Sequence, residues 1–239
     1  MSSEGHLVKA ASDEIGLRRE SRVDAGDVPL WLARLHRSLP VGSEVRISIS
    51  GSLPIATDDL IEGAGFAVDG LLATRLESLP DIVHARMSML ICGLNPGRVS
   101  AEQGVSFANN GNRFWPAALA AGIVSEDRAH DHALLHHGVG FTDLAKRTTA
   151  RAEEITAAEF RSGVSRVERL VNWLRPSIVV MVGLSGWRQG VDRNATSGWQ
   201  PTLFAGAPVY LMPSTSGLNA HETLVSLTEH LENAQAGPV

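Results

Sequence analysis

Met87-Ser-Met-Leu-Ile-Cys92 runs into Gly93-Leu-Asn-Pro-Gly97, and this junction decides the fold class. Six mostly apolar residues are strand length, and a glycine-bounded loop with a fixed proline stops them. Toward the C-terminus, 178–182 and 209–212 are further continuous apolar runs, the pattern of strands buried on both faces. Helical stretches stand between them, over 113–121 and 131–137. A longer helix is opened by the capping box Thr156-Ala-Ala-Glu159. Its apolar stripe is Phe160, Val164, Val167, Leu170, Val171 and Leu174, and it stops before Pro176. A last helix is predicted over 220–234, with Leu224, Leu227 and Leu231 facing inward. This alternation predicts an α/β sandwich with a mostly parallel central sheet. Ligands of such sheets sit at the carboxyl ends of strands, which singles out the loops 93–98 and 213–219.

Toward the N-terminus the rhythm is different. Residues 1–26 are polar without a sustained apolar period, and are expected to form a flexible acidic tail. Residues 27–85 predict a small α+β module of unknown role. A helix begins at Asp27 with Trp31, Leu32, Leu35 and Leu39 on one face. Val45, Ile47 and Ile49 alternate as a half-buried strand, and a short helix covers 58–64. Residues 86–239 then form the main domain.

The composition fits one medium domain with an appendage: 239 residues, 44% hydrophobic and 20% charged. No apolar run approaches the roughly 18 residues of a membrane span. The first residues lack the apolar core of a secretory signal, so a cytoplasmic location and no membrane partner are expected. The single cysteine, Cys92, excludes an internal disulfide framework and Cys-only metal sites. The net charge of −5 argues against a strongly basic nucleic-acid binder, but it is unevenly spread. Residues 1–85 hold 8 Lys+Arg against 13 Asp+Glu, whereas residues 86–239 hold 13 of each.

Four segments carry candidate chemistry. Asn95, in the first loop, is an amide that can orient a water or simply close an Asn-Pro turn. Phe107-Ala-Asn-Asn-Gly-Asn-Arg-Phe-Trp115 places aromatics beside amides, suited either to a planar hydrogen-bonding ligand or to core packing. In Gly138-Val-Gly-Phe-Thr-Asp-Leu-Ala-Lys-Arg147, Asp143 reads as a cleft carboxylate or as a turn cap beside two cations. Met212-Pro-Ser-Thr-Ser-Gly-Leu-Asn219 is a hydroxyl-rich loop that suits a phosphate at a helix start, with Leu218 at its tip. The histidines 130, 132, 136 and 137 lack persuasive metal-ligand spacing, so no metal site is expected. Gly183-Leu-Ser185-Gly186-Trp187 lacks the last glycine of a nucleophile elbow.

Taken together and in this order, GLNPG at 93–97, FANNGNRFW at 107–115, GVGFTDLAKRTTARAEEIT at 138–156 and MPSTSGLN at 212–219 resemble the mismatch-specific uracil-DNA glycosylase / thymine-DNA glycosylase family of the uracil-DNA glycosylase superfamily. The resemblance implies a three-layer α/β/α sandwich that flips a base from duplex DNA and hydrolyses its N-glycosidic bond. Its substrate would be uracil opposite guanine in G·U mismatches, with thymine in G·T mismatches and exocyclic adducts as further candidates. It implies that Asn95 positions the attacking water. Gly93, Leu94, Phe107, Asn109 and Thr142 would form the base pocket. Gly217, Leu218 and Asn219 would form the wedge that fills the vacated stack and contacts the opposite guanine, and Ser214, Thr215 and Ser216 would complete the DNA-binding loop. It implies no metal, no redox cofactor, a monofunctional enzyme and a monomer, with slow turnover because no carboxylate would activate the water. The family's Asn-Pro-Ser is replaced here by Ser214-Thr215-Ser216, which leaves a second reading: a weak or inactive damaged-DNA-binding module that recruits a partner through its N-terminal third. Residues 31–66 weakly resemble the last strands of a methyltransferase but lack a glycine-rich cofactor loop, so methyl transfer is not expected.

Overall fold

The computed structural model describes residues 5–238. The N-terminal region begins with an antiparallel hairpin, β1 (His6–Ser12) and β2 (Leu17–Val23). It continues through α1 (Val28–Ser38), β3 (Glu44–Ile49), α2 (Thr57–Gly63), β4 (Phe66–Asp69) and β5 (Leu72–Arg75). The five strands form one antiparallel sheet in the order β2-β1-β3-β5-β4.

The hairpin corrects the expectation of a flexible tail over 1–26, of which residues 1–4 lie outside the described residues. Val8 and Ala10 are buried in the core, whereas Arg18, Arg19, Glu20 and Arg22 on the outer strand are exposed. A half-buried edge hairpin thus shows only two small apolar anchors in sequence, and the charges around them mask its period. Lys9 and Glu20 face each other in register and pair at 3.0 Å. In α1 the expected start at Asp27 holds, but its carboxylate does not cap the helix and instead pairs with His84 Nε2 at 2.6 Å.

The second region contains β6 (Met89–Gly93), α3 (Arg98–Gln103), α4 (Phe114–Ala120), α5 (His130–His137), β7 (Val139–Asp143), α6 (Ala157–Leu174), β8 (Ile178–Val182), α7 (Leu184–Gly190), β9 (Gly198–Trp199), β10 (Val209–Met212) and α8 (Leu224–Ala236). Its sheet runs β7-β6-β8-β10-β9. The first four strands are parallel, and β9 closes one edge antiparallel. From β6 the chain crosses through α3–α5 to β7, then returns across the sheet through α6 to β8 and α7 to β10. Right-handed crossovers in opposite directions put these helices on opposite faces, and α6 packs with α7 while α4 packs with α8. The molecule is therefore an α/β/α sandwich with a mostly parallel sheet and an N-terminal α+β extension. The capping box at Thr156 and Glu159 forms as the sequence predicts.

A strap, residues 77–82, joins the two regions. Ile82 bridges to Phe141 of β7, and Ser78 Oγ donates to the Lys146 carbonyl at 2.6 Å. The Asp81 carboxylate is fully buried between Lys146 Nζ at 2.5 Å and Arg166 Nη1 at 2.7 Å. Burial pushes the Asp81 carboxyl up, but Arg166 and Lys146 outweigh it and hold the group below its ordinary range. The boundary expected at 85/86 therefore falls after a segment already stitched into the second region.

Candidate active site

The carboxyl ends of β6, β7 and β10 converge on a cavity of about 530 Å³. Among the predicted site residues, Leu94, Asn95, Phe107, Asn109, Ser214, Thr215, Ser216, Gly217 and Leu218 line it. The tight loop after β6 aims Asn95 inward, and three acceptors hold its amide nitrogen: Thr149 Oγ1 at 2.8 Å and the carbonyls of Pro96 and Arg147 at 3.0 and 3.1 Å. With Nδ2 engaged, Oδ1 has no protein partner among the described residues and remains an acceptor for a water.

Asp143, at the end of β7, lines the same cavity. Its carboxylate makes no hydrogen bond among the described residues. Burial pushes it up to about 6, against the pull of Lys146; Asp81 adds to the rise and Arg166 opposes it. Arg166 Nη2 fixes the backbone here by donating to the Asp143 carbonyl at 2.7 Å. Of the two sequence readings of Asp143, the structure favours the cleft carboxylate, because Asp143 lines the cavity that Asn95 also lines. Gly93 is not itself a wall, but its lack of a side chain is required, because a Cβ there would overlap Asp143 Oδ1.

Thr142 is a second correction. It is buried, but successive strand residues face opposite sides, so it turns away from the cavity and donates to Asp81 Oδ1 at 2.6 Å. Phe107 stands in the left-handed region at φ 58, a strained position for a bulky residue. It is held there by stacking on Phe114 with centroids 4.3 Å apart. Its loop is pinned by the Ser106 N–H donating to His130 Nε2 at 2.8 Å and the Ala108 N–H donating to Ser100 Oγ at 3.1 Å. Burial lowers the His130 pKa to about 4, with Arg37 assisting, so its imidazole stays neutral and can accept.

The loop after β10 does not open a helix directly, because α8 begins only at Leu224, capped by Thr223. A phosphate would therefore meet turn hydroxyls rather than a helix terminus. Ser214 Oγ accepts from the Ser216 N–H and Ser216 Oγ accepts from the Leu218 N–H, both at 3.3 Å, which leaves both O–H groups as donors. The Thr215 side chain is buried, and Leu218 is 90% exposed. The Asn219 amide is folded back, donating to the Ser214 carbonyl at 2.9 Å and accepting from the His221 N–H at 3.3 Å. It thus braces the loop from within and does not line the cavity.

Sequence reasoning passed over Arg113. Its guanidinium donates to the carbonyls of Ser216 at 2.9 Å, Asn219 at 2.8 Å and Glu222, gripping the loop from behind. A Cβ at Gly217 would lie 2.6 Å from the Gly111 carbonyl oxygen, so the two loops touch through glycine. The only available signal was an arginine inside an aromatic motif, with its partners more than a hundred residues away. Among the described residues no three His, Cys, Asp or Glu side chains converge to hold a metal ion. Of the histidines on α5, His132 instead pairs with Glu126 at 3.2 Å.

Comparison with known proteins places the chain in a family. A Methanosarcina acetivorans protein, solved in solution by NMR and provisionally named a uracil DNA glycosylase, is similar with a TM-score of 0.46 and 20% identity, over 64% of this chain and 92% of that one. The family model of the uracil DNA glycosylase superfamily matches residues 80–235, which takes in β6 to α8 and the Asp81 end of the strap. On that match the chain belongs to the uracil DNA glycosylase superfamily, a group of DNA glycosylases.

Proposed function

We propose that this protein is a monofunctional, mismatch-specific glycosylase that removes uracil paired with guanine from duplex DNA. Thymine in G·T pairs and exocyclic adducts are further substrates under this reading, and the enzyme works as a monomer on the nucleoid in the cytoplasm. The observation that carries the reading is the pair formed by Asn95 and Asp143, one a locked amide with a free acceptor, the other an unpartnered carboxylate, both facing one cavity.

The chemistry follows from that pair. A water held by Asn95 Oδ1 attacks C1′ of the flipped nucleotide and passes its proton to Asp143. The C1′–N1 bond breaks, and its electron pair leaves with the base. The buried carboxylate also lies where positive charge builds on the sugar in an oxocarbenium-like transition state. Phe107 offers a face for the base to stack on. Extrusion of a base costs a few kcal/mol, least at a mismatch. Burying Leu218 in the emptied stack returns about 1.5–3 kcal/mol, the transfer free energy of a leucine side chain.

The test is release of uracil from a G·U duplex, read as an alkali-induced strand break. The wild type is expected to cut, and Asn95→Ala and Asp143→Asn are expected to lose about 10²–10⁴-fold, the range for a positioned general base. No break with wild type, or an undiminished break with both variants, would sink the assignment. The replaced residues 214 and 215 keep the second reading in view: tight binding of G·U duplex with no base release would identify a damage-binding module.

A further inference from the structure

A second cavity among the described residues is larger than the base pocket. A groove of about 1020 Å³ lies between the N-terminal region and α6, with β4 along one side and residues 144–148 along the other. We propose that it is a docking groove for an extended, basic segment of a partner protein, which adds as a sixth strand beside β4. This inference is independent of the reaction proposed above.

Three observations support it. First, β4 is an edge strand. Asp69 and Leu72 flank a two-residue turn with Gly70 at φ 59, so they form a hydrogen-bonded pair, and the ladder alternates from there. Phe66 and Val68 then point their N–H and C=O groups away from β5. Neither residue finds another backbone partner among the described residues, and both line the groove; Phe66 is buried and Val68 partly exposed, so the groups open to a new strand are those of Val68. Second, the two edges of this sheet are guarded differently. β2 carries exposed Arg18, Arg19, Glu20 and Arg22, the usual protection against strand addition. β4 reads Phe66-Ala67-Val68-Asp69, with its only charge at the turn.

Third, the groove has a sign. Asp58, Glu62 and Glu77 on its rim have no ionic partner among the described residues. The groove's cations are mostly spent, Lys146 on Asp81 and Arg147 on Glu159, leaving Arg98. Val68, Leu76 and Leu144 supply an apolar floor. Open backbone groups, alternate apolar sites and a carboxylate rim fit an extended peptide with alternating basic and apolar residues.

The probe is a fluorescein-labelled heptapeptide of alternating lysine and valine, with a glutamate–valine twin as control, followed by anisotropy. The lysine peptide should bind saturably, in the range of about 10–100 μM typical of a small interface, and the twin at least about tenfold more weakly. Val68→Pro removes an outward N–H but no ladder bond, an exchange edge strands tolerate. It should weaken binding about tenfold with an unchanged thermal melt, and Glu62→Lys with Glu77→Lys should do the same through charge. If Val68→Pro fails to fold, the charge-reversed protein decides. No saturation below about 1 mM, equal binding of both peptides, or undiminished binding by the charge-reversed protein overturns the proposal. A concentration-dependent dimer without peptide that Val68→Pro abolishes would overturn it in favour of a second copy of this chain.

Discussion

The two five-stranded sheets leave different parts of their backbone uncommitted. In the parallel sheet, β6, β7 and β10 are buried along their whole length, so the loops after them are what they offer to a ligand. Asn95, Asp143 and the 214–218 loop all sit at that end. In the antiparallel sheet the β1–β2 and β4–β5 ends close in hairpin turns, and of its two edges β2 is guarded by charge while the flank of β4 is not. Chemistry accordingly gathers at strand ends in one region and recognition along a strand edge in the other, and the strap 77–82 is where the two meet.

The largest effects are expected at the strand ends. Asp143 is raised to about 6, so wild-type activity should climb as pH rises through about 6 and then level off, whereas Asp143→Asn should leave a small, flat residue. A carboxyl raised in the folded state favours folding when protonated. Its ionisation penalty grows as pH rises from the unfolded value near 3.8 to about 6, and stays above that. Asp143→Asn should therefore raise Tm at pH 8 while cutting turnover to that small residue, and the gain should vanish below pH 4. A fall in Tm at pH 8 would show that the carboxylate serves the fold.

The seam comes next. Asp81 is one buried anion between two buried cations, and removing a partner from such a cluster costs about 3–5 kcal/mol. Asp81→Asn should lower stability by that amount in a denaturant titration, and a loss below about 1 kcal/mol would show that the strap is a loose linker. The cluster lies behind the segment whose carbonyl at Arg147 holds the Asn95 amide, so the variant should also slow base release. At the wedge, Leu218→Ala should weaken processing of duplex by about 1.5–3 kcal/mol and leave single-stranded substrate nearly unchanged. Equal loss on both would refute wedge insertion.

The same contrast explains what could be read from sequence. Strands buried on both faces announce themselves as apolar runs, so β6, β8 and β10 were legible, as was α6 from its stripe and capping box. β1 and β2 were not, because a half-exposed edge hairpin needs only Val8 and Ala10 inside and fills the rest with charge. Asn95 and Leu218 were legible as motif residues in loops after strands, and Phe107 as a motif residue in the loop before α4. Asp143 stayed ambiguous because a carboxylate's burial is a property of its neighbours, and Thr142 was misplaced because one step along a strand reverses a side chain's face. Asp81 and Arg113 act through partners 61–109 residues away, which local pattern cannot reveal.

The smallest expected effect concerns charge. The net of −5 belongs to the N-terminal region, yet among the described residues the neutral glycosylase region brings no basic wall to its cavity, where Asp143 is the one charged side chain. Each phosphate neutralised by a cation contributes about −0.9 to the slope of log affinity against log salt on duplex DNA. Grip by serine hydroxyls and loop N–H groups displaces few counterions, so the slope should be shallow, about −3 or less steep. Cutting away residues 1–81 cannot test whether the acidic region repels DNA, because Ser78, Leu79 and Asp81 hold Lys146 in place. Exchanging exposed Glu14, Glu44 and Asp69 for neutral amides leaves those contacts intact and should tighten duplex binding less than about tenfold, and only below about 0.1 M salt, where the Debye length exceeds about 10 Å. Unchanged affinity at low salt would mean that the acidic region faces away from the bound duplex.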